Sequence, residues 1–147
     1  MPASSALLTA HDLREHFHEA VSSAVAQHQL PLSAASRQYL GDLLTEFSST
    51  GRLFAGAGDS RGLPPLADLY AEAHAAHQPR ERARALRQLG DVALMVAGVF
   101  SEYLKRRLVD IDYYVAMGGS AYAHLASCSA DVYRELSEKF VCCMDAL

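Results

Sequence analysis

At 147 residues and 15.9 kDa the chain has room for one domain, and a chain of this size builds its core without disulfides or a structural metal. Half of the residues are hydrophobic and a fifth are charged, which excludes intrinsic disorder; 13 basic against 17 acidic residues argue against a general nucleic-acid binder. Ala and Leu supply 45 residues while Val, Ile and Thr supply 13, a balance that favours helix over strand.

The opening MPASSALLTAHDL has neither a basic n-region nor a long apolar stretch, so no signal peptide is read there. Thr9 is placed to cap a helix from about His11 to Gln29, stopped before Pro31, with Leu13, Phe17, Ala20, Val21 and Ala24 on one face. Ser33 opens a second helix whose apolar stripe is Tyr39, Leu40, Leu43, Leu44 and Phe47, and Ser48 to Gly51 end it. Residues 51–63 hold four glycines and predict an exposed loop. Pro64 and Pro65 suit the first turn of a third helix reaching about His77. Pro79 opens a fourth, charged at first and apolar on every side after Gly90.

The run Val92 to Phe100, VALMVAGVF, is nine residues long, against the roughly 20 that a bilayer span needs. It therefore predicts the buried centre of a bundle, a helix at about 91–100 with neighbours on all sides, and no membrane association. Ser101 to Arg107 reads as a short amphipathic helix or turn. Asp110 or Asp112 caps a helix over Tyr113 to about Ala126, and Ser129 caps a last one with Val132, Leu136, Phe140 (or Val141) and Met144 turned inward. The expectation is an all-α fold: residues 1–147 as a single-domain bundle of five to seven helices.

Cys128, Cys142 and Cys143 make an odd count, which predicts free thiols in a reducing cytoplasm. Cys142 and Cys143 are neighbours in sequence, and adjacent Cα atoms lie closer than disulfide geometry prefers. His11, Glu15 and His18 fall at i, i+4 and i+7, close enough to share a metal ion, and Glu15 with His18 matches the Glu-x-x-His of di-iron bundles. The chain holds only one such pair, and the trio lies opposite the Leu13–Phe17–Val21 stripe, so it is expected to face water. His77 shares an angular sector with Leu66, Tyr70 and Ala73 and is expected to be half-buried. Arg80, Arg82, Arg84 and Arg87 read as exposed charged surface or as a grip for an anion. Asp91 abuts the apolar run four residues after Arg87, which predicts an ion pair at the edge of the core.

The densest chemistry lies in LVDIDYYVAMGGSAYAHL, Leu108 to Leu125. Asp110, Asp112, Tyr113, Tyr114, Tyr122 and His124 surround the small residues Gly118, Gly119 and Ser120. Glycine costs a helix about 1 kcal/mol relative to alanine, so two in succession imply a need. Close approach of another helix, within or between subunits, supplies one; a kink opening a pocket beside the tyrosines supplies another. The absence of Lys-Ser/Thr after the glycines excludes a P-loop.

LGDVALMVAGVF followed by VDIDYYVAMGGSAYAHLA resembles a set of uncharacterised helical proteins from bacteria. The resemblance covers about a quarter of the chain and implies a helical protein with no assigned activity and no catalytic residue to carry over. The leading expectation is a cytoplasmic, non-catalytic binding or regulatory protein acting as a homodimer, with no cofactor and no nucleic acid, and with a protein partner as a further option. One alternative is a ligand pocket or enzyme site at residues 110–124, with Asp110 or Asp112 orienting a proton-transfer group among Tyr113, Tyr114 and His124. Another is a metal or haem carrier using the histidines.

Overall fold

The computed structural model describes residues 10–50, 66–101, 110–127 and 131–147. The Thr9 cap, the loop at 51–63, most of the segment 101–107, Cys128 and the Ser129 cap lie outside the described residues. The fold is all-α, with seven helices and no strand among the described residues. They are α1 (Ala10–His28), α2 (Ala34–Thr50), α3 (Leu66–Ala75), α4 (Pro79–Val99), α5 (Ile111–Ala126), α6 (Asp131–Glu138) and α7 (Phe140–Ala146).

The apolar run is the hub. From Leu89 through Ala97 every residue of α4 is buried. The helix packs against α3, α5 and α7, while α1 and α2 pair with each other and meet the rest mainly through α6 and α7, with Tyr39 of α2 also reaching α4. Small residues set how closely these helices lie. A Cβ on Gly118 would stand 2.5 Å from the Phe140 ring and 2.9 Å from Ala93 Cβ, so α5 and α4 touch there almost backbone to backbone. Gly119 is different: its nearest neighbour would be the Ser137 carbonyl oxygen at 3.8 Å. The helix runs unbroken through both glycines, and close packing within the chain is the need that Gly118 answers.

Helix ends follow local chemistry. α1 stops at His28, and Gln29 takes the left-handed conformation (φ 53°) while the Leu30 amide donates to the Val25 carbonyl at 3.0 Å. That is the Schellman closure, made here without the usual glycine. α3 ends at Ala75, two residues short of the expected His77, and Pro79 sits in the first turn of α4. The expected single C-terminal helix is two: Lys139 leaves helical geometry (φ −116°, ψ 35°), separating α6 from α7. The offset brings Phe140, Cys143 and Ala146 inward and leaves Val141 55% exposed. No described helix is long and apolar enough to cross a membrane.

Candidate functional site

Among the described residues, the most perturbed chemistry surrounds Asp91. It is 3% exposed in the middle of α4, and its Oδ1 accepts hydrogen bonds from two phenols: Tyr39 of α2 at 2.5 Å and Tyr122 of α5 at 2.7 Å. Gly90 makes room for the second, since a Cβ there would fall 2.7 Å from the Tyr122 ring. One turn earlier on α4, Arg87 brings Nε to 3.7 Å from Asp91 Oδ2 and its guanidinium carbon to 5.7 Å from the Tyr39 ring centroid. Tyr133 of α6 stacks on Tyr122 with centroids 6.0 Å apart and meets Tyr39 edge-on at 5.8 Å. The ion pair expected from the sequence is present, but Arg87 is half-exposed and the carboxylate owes most of its satisfaction to the phenols.

Burial pushes the Asp91 carboxyl up to about 6, against the two phenol hydrogen bonds and Arg87, which hold it down; Glu46 adds a further upward push. Burial, and the carboxylate beside them, also hold both phenols protonated far above their ordinary value. A carboxyl near 6 suits general acid–base work. Geometry withholds that role: Oδ1 is occupied by both phenols, and the neighbouring cavity is about 70 Å³, lined by Tyr39, Asp42, Leu43, Glu46, Arg87 and Asp91. That volume admits a water or two and no organic substrate. The cluster ties three helices together and satisfies itself.

A second carboxylate does comparable work at the rim. Ser33 precedes α2 as expected, and its hydroxyl accepts from the Ser36 amide at 3.2 Å, as an N-cap does. The first turn of α2 has no acidic residue of its own. Glu135 of α6 supplies one: its Oε1 accepts from the Ser33 amide at 3.1 Å, the Ser33 hydroxyl at 2.5 Å and the Ser36 hydroxyl. Lys139 Nζ lies 3.4 Å from the other oxygen and donates to the Pro31 carbonyl at 2.6 Å. Partial burial raises the Glu135 carboxyl, but the serine donors and Lys139 outweigh it and bring it down to about 2.

The residues expected to form a site at 110–124 are dispersed. Asp110 caps α5 by accepting from the Asp112 amide at 2.9 Å, and Asp112 is exposed. Tyr113 is exposed and Tyr114 buried, their rings meeting edge-on at 5.8 Å. The Gly119 carbonyl accepts from the Ser137 hydroxyl at 2.8 Å, Ser120 faces outward, and Tyr122 belongs to the Asp91 cluster. His124 is exposed at the far end of the helix. Eleven residues separate it from Tyr113, about 16 Å along a helix axis, so these side chains share no reacting atom.

The histidines are also placed otherwise than expected. His18 is only partly in water, its side chain 28% exposed: its imidazole packs over Gly41, and Nε2 donates to Asp42 Oδ1 at 2.8 Å, with Arg14 on the same oxygen at 2.7 Å. The approach of α2 turns what a lone helix would expose into a contact. Glu15 is exposed, and the His11 side chain lies outside the described residues. Among the described residues no group of three or more His, Cys, Asp or Glu side chains is placed to hold a metal ion. His77 is exposed, because α3 ends before it and the periodicity that buried it no longer applies. Comparison with protein-family models, with curated proteins and with solved structures found no match to the chain.

Proposed function

We propose that the protein is a non-catalytic helical binding module that acts as a homodimer in a reducing cytoplasm. The observation that carries the reading is the direction of its polar chemistry. Asp91, the one carboxyl among the described residues tuned towards acid–base work, is closed off at 3% exposure and occupied by Tyr39 and Tyr122. At the junction of α4 and α7 two large apolar side chains face outward, next to the exposed Asp145. Val141 and Val99 are exposed there. Val141 lies one turn before Met144, which with Leu147 packs on Gly98, the residue preceding Val99.

A second copy set about a two-fold axis would bury each of these side chains twice, which is how a modest patch becomes a self-complementary interface. Cys142 and Cys143 are free thiols beside it, in keeping with a reducing compartment. Sedimentation velocity at micromolar concentration tests the reading. A dimer is expected, and Val141→Glu should convert it to a monomer with unchanged helix content. A wild-type monomer overturns the homodimer, and a Val141→Glu dimer overturns the assignment to α7.

A further inference from the structure

A cleft at the other end of the bundle has the makings of a ligand site. Its walls come from three places: His77 in the link between α3 and α4; Pro79, Arg82, Ala83 and Leu86 on the first turns of α4; and His124 and Leu125 at the end of α5. It encloses about 200 Å³. Drug-sized ligands occupy roughly 300–1,000 Å³, so its occupant is a small molecule.

The lining divides cleanly. Pro79, Ala83, Leu86 and Leu125 form an apolar floor, of which Leu86 and Leu125 are buried among the core side chains. His77, Arg82 and His124 supply nitrogen donors, and no carboxylate lines the cleft. The two larger clefts lack this polarity. The one between α1 and α2 sets Glu15 among Arg14, His18 and Arg37. The one between α3 and α4 sets Glu72 and Glu81 beside Arg84. In both, an anion would meet a carboxylate of the protein.

Arg82 is also held in position. One Nη2 hydrogen bond, to the Ala76 carbonyl at 3.2 Å, anchors the guanidinium beside the cleft. A guanidinium carries five N–H donors, so this anchor leaves others for a carboxylate oxygen.

We propose that this cleft binds a small monocarboxylate with a short apolar tail. The carboxylate meets Arg82 with His77 and His124 at the rim, and the tail lies on Ala83, Leu86 and Leu125. Charge alone does not account for the floor, and apolar contact alone does not account for three nitrogen-bearing side chains without an acid. The site is independent of the proposed dimer contact, which lies at the opposite end of α4.

The test is an NMR titration of the isotope-labelled full chain with sodium hexanoate, with hexan-1-ol and with inorganic phosphate. Hexanoate should cause saturable shifts at His77, Ala83, His124 and Leu125, with a midpoint at least about tenfold below those of the other two probes. Arg82→Gln should weaken hexanoate by at least about tenfold while the spectrum elsewhere stays folded. If that variant does not fold, His124→Gln takes its place, with a smaller loss expected from the same cleft. Non-saturating hexanoate shifts, hexanol or phosphate binding as tightly as hexanoate, or a folded Arg82→Gln with undiminished affinity would each overturn the proposal.

Discussion

Asp91 and Glu135 each gather hydroxyl donors from distant helices, one in the core and one at the rim. Asp91 holds Tyr39 and Tyr122 in the core, beside a cavity of only about 70 Å³, and its carboxyl rises to about 6. Glu135 holds Ser33 and Ser36 at the mouth of α2, partly in contact with solvent, and its carboxyl falls to about 2. The two sites differ less in the number of donors than in the solvent each has given up. Lost hydration dominates in the core, whereas at the rim a charge keeps part of its water and gains hydrogen bonds and a helix N-terminus. The interior site makes the packing specific; the rim site fastens α6 to α2 at little expense.

The largest expected effect separates the two directly. Asp91→Ala should destabilise the fold by about 3 kcal/mol or more in urea unfolding, because it leaves the buried Tyr122 phenol and the partly buried Tyr39 phenol without an acceptor. Arg87 adds little, since it is half-exposed. A loss below about 0.5 kcal/mol would mean that the site is wet and the contrast false.

The pH dependence of stability should then run in opposite directions at the two carboxyls. Asp91 holds its proton up to about 6 in the fold and to its ordinary 3.8 when unfolded, so the native state binds more protons between these values. Stability therefore falls as pH rises from about 4 to about 6, by about 3 kcal/mol at most, and Asp91→Asn should remove that fall. Glu135 titrates near 2 in the fold against its ordinary 4.5, so the unfolded chain binds more protons between them. Its contribution is present above about 4.5 and lost as pH falls towards 2, by about 1 kcal/mol after solvent screening. Urea midpoints of the wild type, Asp91→Asn and Glu135→Gln across this range separate the two, and slopes of the same sign would break the comparison.

Gly118→Ala should cost about 2 kcal/mol by prising α5 from α4 and Phe140, loosening the frame that holds Tyr122 on Asp91. Gly119→Ala, one residue on, would meet only the Ser137 carbonyl oxygen at an ordinary contact distance of 3.8 Å and should instead stabilise by about 0.5–1 kcal/mol through helix propensity. Thermal melts of the pair check this, and equal effects would refute the close approach at Gly118. Glu135→Ala should cost about 1 kcal/mol, well below Asp91→Ala, since solvent replaces part of what the serines lose. Urea unfolding at neutral pH measures it, and a cost equal to that of Asp91→Ala would erase the distinction between core and rim.

Much of the architecture was legible because it rests on local pattern. The all-round apolar run marked α4 as the centre, Arg87 and Asp91 announced themselves at a helical spacing, and the double glycine pointed to a close approach. Three features were not. Tyr39 read as an ordinary stripe residue and Tyr133 carried no signal, because their meeting with Asp91 and Tyr122 depends on how α2, α4, α5 and α6 converge. The partnership of Glu135 with Ser33 spans 102 residues and has no local motif. The interruption at Lys139, which turns Phe140 rather than Val141 inward, places the Phe140 ring against Gly118, a contact between distant segments that no local pattern announces. His18 teaches the same lesson: a solvated face on one helix is covered when another carries a glycine opposite it.

The chain has seven tyrosines and no tryptophan. A phenol that donates to a carboxylate loses its excited-state energy by passing its proton across that bond. Tyr39 and Tyr122, both bound to Asp91, should therefore emit weakly in the native protein. Unfolding frees them, so the ultraviolet emission of the chain should brighten as the core opens, and the protein carries its own optical gauge of whether its centre is intact.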